Sequence, residues 1–153
     1  MAECNPENGL RDALAAFETA LATPLLSGEL DNWIDHVQAT WSDVSTHVHD
    51  HSTRLHPRQY QEISDADPEL MSQVEKLQVE DLAIERDREG LCRRVHGIVQ
   101  HAPQFEPDEE KVKHHLTQLI DIGVLFVGRA RKQEVVVETW FVEAFNRDRG
   151  VGD

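Results

Sequence analysis

The sequence predicts an all-α protein, an up-down-up-down antiparallel four-helix bundle, on three observations. Apolar residues recur every three or four positions along four stretches of the chain. Proline, glycine or aspartate signals separate those stretches. The 153 residues give one domain, 1–153, room for a sizeable core.

Asn5-Pro6 reads as an N-cap followed by proline in the first helical turn, and Leu10, Leu14, Phe17 and Leu21 then mark the inner face of helix one. Thr23-Pro24 and Ser27-Gly28 end it. Leu30, Ile34, Val37, Trp41, Val44, Val48, His51 and Leu55 continue as a single stripe, which makes helix two long, with a bend expected near Pro57. Asp65-Ala-Asp67-Pro68 is the next turn, because aspartate caps free backbone N–H groups and proline suits the first helical turn. Helix three buries Val74, Leu77, Ile84, Leu91, Val95 and Ile98. Pro103 and Pro107 bracket the last connection, and Asp108-Glu-Glu suits the positive end of a helix dipole. Helix four turns Leu116, Leu119, Gly123, Val127, Ala130, Val137, Phe141 and Phe145 inward and ends in a polar tail, 146–153. Residues 123–138 are rich in β-branched side chains and leave a hairpin open as an alternative, although no Asn-Gly or Asp-Gly turn interrupts them.

Fifteen Lys and Arg against twenty-nine Asp and Glu leave a formal charge of −14. Such a field repels phosphate backbones and anionic lipid, so neither nucleic acid nor a membrane surface is an expected partner. The first residues show neither a basic nor an apolar signal stretch, and no apolar run could span a bilayer, so a cytoplasmic protein is expected. Cys4 and Cys92 have no paired spacing, which fits a reducing compartment and an inert thiol at Cys92.

Nine histidines in an acidic chain raise the question of a metal. His114 and His115 fall in the first turns of helix four and read as solvated, and His36, His96 and His101 lack partners at ligand spacing. His47 and His51 differ: at i and i+4 they project from one helix face and can hold the same ion, while His49 points away. On helix three the inward stripe Leu77, Asp81, Ile84, Arg88, Leu91 contains an acid and a base. A buried Asp81 needs compensation, either a metal shared with His47 and His51 or an ion pair with Arg88 and histidine hydrogen bonds. Counting helix four back from its turn puts Ala130 level with Asp81 and Glu134 about one turn away, with Glu138 at i+4. The candidate ligands are therefore His47, His51, Asp81 and Glu134, a two-histidine, two-carboxylate set suited to iron, zinc or manganese.

His47-x-x-x-His51-x-x-x-Leu55-x-Pro57 resembles the His-x-x-x-Glu segment of hemerythrin-like domains. Leu77-x-x-Glu80-Asp81-x-x-Ile84 resembles that family's third-helix motif, in which a Glu-His dipeptide precedes the isoleucine. The resemblance covers nearly all of the chain and implies a bundle with metal between its four helices, serving oxygen binding, nitric-oxide or iron sensing, or iron handling. The chain departs from it at Leu14, where the family has a first-helix histidine, at His51 in place of Glu, and at Asp81 in place of the third-helix His. The resemblance thus implies an altered, single-ion site acting in sensing or storage of a metal or small ligand rather than catalysis. An oxidase or reductase would further need an exchangeable coordination position. The competing expectation is a metal-free bundle in which Asp81 pairs with Arg88. Its surface would meet a protein partner or a second copy through Trp140, Phe141 and Phe145, because helix four carries apolar residues on more than one side.

Overall fold

The structure, a computed structural model, describes residues 6–101 and 109–150, with side chains over 9–101 and 111–146. Asn5, Cys4, the Pro103–Asp108 connection and the end of the polar tail lie outside the described residues or side chains. Every element is helical, and no strand occurs among the described residues.

Helix α1 spans Pro6–Ala22 and buries Leu10, Leu14, Phe17 and Leu21, the stripe its spacing predicts. Gly28 takes a positive φ of 85°, the left-handed conformation that glycine adopts without steric cost, and turns the chain into α2, Leu30–Asp50. Trp33 anchors this turn by donating from its indole nitrogen to the Thr23 carbonyl at 3.0 Å.

Where the sequence predicts a bend near Pro57, the structure has a π-helical turn, His51–Leu55, leading directly into α3, His56–Ala66. The His56 amide donates to the His51 carbonyl, five residues back instead of four. Pro57 supplies the local cause, since it has no N–H to donate and its ring crowds the carbonyl four residues earlier, that of Thr53. The buried stripe shows the same slip. It runs through Val44, Val48 and His51 at helical spacing, then skips to His56, Tyr60 and Ile63, leaving Leu55 only half-buried.

Asp67 accepts from the Glu69 amide and caps a short 3-10 turn, Pro68–Leu70, that delivers the chain into α4, Met71–His101. Helix α5 runs unbroken over Glu109–Gly150, 42 residues or about 63 Å. The stretch 123–138 is therefore helix and not hairpin. Burial explains why: Phe126, Val127, Ala130, Gln133 and Val137 reach the interior at helical spacing while Val124 and Val135 face outward. Gly123 lets α1 and α5 approach closely, because a Cβ there would lie 2.6 Å from Leu21 Cδ1 and 3.4 Å from the Phe17 ring.

Side-chain pairs fix how the helices meet. Between α2–α3 and α4 they are Ser45 with Cys92, His49 with Glu85, and His56 with Asp81. Between α4 and α5 they are Arg94 with Gln118, Asp87 with Arg129, and the Leu77 carbonyl with Gln133. The buried apolar residues form two clusters. A large one joins α1, α2, the later part of α4 and the first half of α5 around Phe17, Trp41 and Phe126, whose rings meet tilted and edge-to-face with centroids 5.2 and 5.3 Å apart. A smaller one, with Tyr60, Ile63, Leu70, Val74, Leu77 and Val137, draws only on α3, the 3-10 turn, α4 and α5. Helix α1, about 25 Å long, does not contribute to it. No described helix is long and apolar enough to cross a membrane.

Candidate metal centre

Between the two apolar clusters lies a buried polar layer. His51 and His56 are five residues apart, so on a regular helix their side chains would diverge by roughly 140°. The π-helical turn takes up that difference and brings both rings to one face, with centroids 5.7 Å apart at 80°. From α5, Glu134 reaches between them. Its Oε1 lies 3.2 Å from His51 Nδ1 and 2.8 Å from His56 Nε2. One donor atom from each of the three residues falls within 4.8 Å of the others.

Asp81 stands behind His56 rather than beside His51. Its carboxylate accepts from His56 Nδ1 at 2.9 and 3.1 Å, from the Tyr60 hydroxyl at 2.5 Å and from the Gln133 amide at 3.0 Å. Gln133 also donates to the Leu77 carbonyl at 3.0 Å, which fixes its amide. Asp81 is 6 % exposed, and these donors compensate its burial. With the Nδ1 hydrogen given to Asp81, the other ring nitrogen of His56 is directed at Glu134 and His51. That Nε2 is buried and, although within ion-pairing distance of Glu134, lies off any hydrogen-bond direction.

The electrostatics follow from this packing. Burial alone would lower the affinity of His56 for its proton, but the carboxylates of Asp81 and Glu134 override it and raise its pKa to about 9. Burial alone would likewise raise Glu134, yet the His51 and His56 imidazoles hold it down to about 2. Burial, then the neighbouring Asp81, pushes the Tyr60 hydroxyl far above its ordinary value.

These residues fit a small cation. Donors about 2.1 Å from a common ion stand roughly 3.0 Å apart in octahedral and 3.4 Å apart in tetrahedral coordination; the 3.2 Å spacing around Glu134 Oε1 falls between these and the 2.8 Å spacing just below the octahedral one. The adjoining cavity, about 10 Å³, has room for one ion or a single water, and Leu10, Val48, Ile84 and Ala130 close its apolar side. The Asp81–His56 pair has the form in which a carboxylate fixes the tautomer and orientation of a ligating imidazole.

The structure brings together two of the four residues singled out from spacing, His51 and Glu134, and adds His56. His47 lies elsewhere: it is half-buried, with its ring against Gly9 of α1. The π-helical turn is the reason, because the ring it brings alongside His51 is His56, on the α3 side. Asp81 meets the cluster through His56 alone, at the ring nitrogen turned away from Glu134. The pairing of Asp81 with Arg88 does not form, since Arg88 donates to Glu85 at 2.9 and 3.1 Å and to the Ser45 hydroxyl. Glu80, the other acid of the third-helix motif, points outward to Arg129, and Glu138 is exposed. Helix α1 meets the layer at Leu10, with Leu14 in the large apolar cluster. On helix four, Trp140 and Phe141 are half-buried against the smaller cluster, which leaves Val142 and Phe145 outward. No protein-family model matches the chain, and no curated protein and no solved structure matches it.

Proposed function

We propose that the chain is a hemerythrin-like, up-down-up-down antiparallel bundle that binds one transition-metal ion through His51, His56 and Glu134. Asp81, held by Tyr60 and Gln133, orients His56. The observation that carries this reading is the His56 Nε2, a buried polar atom without a hydrogen bond that faces a carboxylate and a second imidazole. A proton on that nitrogen has only the Glu134 carboxylate, 2.8 Å away, to hold it, and a cation shared by the three donors would take its place. Two histidines and one carboxylate with neighbouring space suit zinc or ferrous iron.

The role that fits best is sensing. One ion per 153 residues makes a poor store, and a cavity of about 10 Å³ leaves no space for an organic substrate beside the ion. The chain's own residues do the discriminating: His56 exchanges its proton for the ion, Glu134 supplies charge, and Asp81 keeps the imidazole aimed.

Tag-free protein, stripped with chelator and titrated with Co(II) as a spectroscopic stand-in and with Zn(II), should bind one equivalent of either. His56→Ala and Glu134→Ala should abolish binding, while His47→Ala should leave it unchanged. A wild-type chain that binds neither ion, or a His56→Ala variant that titrates like wild type, would sink the proposal.

A further inference from the structure

On the outer side of the bundle, α4 and α5 border an open groove of about 590 Å³. The buried Leu91 and Phe126 lie at its base, and Gly90, Ile122 and Leu125 line it, Leu125 with 74 % of its surface exposed. Val79 and Leu82, 67 % and 62 % exposed, lie on the outer face of α4 that also carries Arg86 and Gly90. Exposed apolar side chains that border an open groove mark a surface that something covers.

Two further observations say what. Gly90 borders the groove and Gly128 lies one helical turn beyond Leu125. A Cβ at either position would meet nothing within 4 Å, so no packing inside this chain calls for glycine there. Each glycine nevertheless costs about 1 kcal/mol relative to alanine within a helix, and bare backbone at such a place admits the close approach of another chain. The charge is the second. In a chain of formal charge −14, this groove is rimmed by Arg86, Arg94 and Arg129 against one acid, Asp87. Glu80 and Asp87 already hold Arg129. Among the described residues, Arg94 donates to Gln118 at 3.5 Å. Arg86 and Arg94 stand eight residues, or about 12 Å, apart on α4.

We infer that the α4–α5 groove docks an amphipathic helix of a partner protein, apolar on the face that meets Leu125 and Gly90 and carrying carboxylates about two turns apart for Arg86 and Arg94. A second copy of this chain placed by two-fold symmetry would set the arginine rim against itself, which the like charges oppose. The acidic remainder of the surface repels an acidic helix everywhere else and so restricts it to this groove.

The test uses the full chain and a fluorescein-labelled synthetic helix of about four turns, with leucines at i, i+3, i+4 and i+7 and glutamates two turns apart along one flank. Its control is the same helix with lysines in place of the glutamates. Fluorescence anisotropy should show saturable binding of the glutamate helix and roughly tenfold weaker binding of the lysine helix. Leu125→Glu, Gly90→Leu and Arg94→Glu should each weaken the glutamate helix by about tenfold or more, whereas Val142→Glu, on the opposite end of α5, should not. All four variants should keep the helical circular dichroism and metal stoichiometry of the parent, so a failure here stays separate from a failure of the metal reading. Equal binding of both helices, no binding of either, or indifference to the groove substitutions overturns the inference. So does a dimer in light scattering that Leu125→Glu dissolves, because the occupant would then be a second copy.

Discussion

His56 exchanges one cation for another. In the metal-free chain its imidazole is protonated between Asp81 and Glu134, and its pKa is lifted from 6.5 to about 9. The stabilisation this provides is complete below about pH 6.5 and disappears as pH rises through about 9. Glu134, lowered from 4.5 to about 2, works from the acid side: its contribution is complete above about pH 4.5 and disappears as pH falls toward 2. The melting temperature of the stripped protein should therefore fall between pH 7 and 10, an effect that His56→Gln removes. Metal binding requires the opposite protonation state. Calorimetry at pH 7 in buffers of different ionisation enthalpy should report the release of about one proton per ion, with affinity rising about tenfold per pH unit up to pH 9. Proton-neutral binding at pH 7 would mean that His56 is not a ligand. Asp81→Asn leaves the donor atoms in place but weakens the grip on the Nδ1 hydrogen, so affinity should drop about 10- to 100-fold without loss of stoichiometry.

At the scale of the element, the π-helical turn amounts to one extra residue in an otherwise regular helix. Removing a residue from its exposed side should therefore be tolerated. Deleting Arg54, whose side chain is 79 % exposed, should convert the turn to α-helix, keep His56, Tyr60 and Ile63 facing inward, and cost no more than about 1 kcal/mol in denaturant unfolding. Deleting Gln38, also exposed but inside regular α2, should rotate everything after it by about 100° and cost several times as much. Comparable losses from the two deletions would count against the turn. The same turn separates what was legible in the sequence from what was not. The inward residues of α1, α2 and α4 can be read from spacing alone, because burial at 3.6 residues per turn decides them. His56 cannot be found that way, since an unbroken 3.6 period carries the stripe from His51 to Leu55. Its signals were the slip of the stripe from Val48–His51 to His56–Tyr60–Ile63 and a proline directly after the histidine. Gln133 left no signal at all: nothing in the run from Arg129 to Val137 distinguishes a glutamine that bonds Asp81 from one that faces water.

Over the whole molecule, four helices surround the large apolar cluster and three surround the smaller one, with the charged layer between them. The smaller end has less apolar area to bury and so a lower opening free energy. Side chains on both sides of the layer touch the candidate centre: Val48 and Leu10 from the larger cluster, and Tyr60 through Asp81 from the smaller. Saturating metal should raise the melting temperature, by about 2.7 kcal/mol of stabilisation at a hundredfold excess over the dissociation constant. In hydrogen exchange, amides of α3 and the last turns of α5 should gain the most protection on binding. Uniform protection of both ends, or none, would show that the ion does not couple them.

The placement of the tryptophans allows the two ends to be watched separately. Trp33 and Trp41 sit in the larger cluster, and Trp140 lies against the smaller. Variants that keep only Trp41 or only Trp140 therefore carry one emitter in each compartment. Their fluorescence should lose its blue-shifted character at different denaturant concentrations in the chelator-treated chain and at a common concentration once the layer is filled.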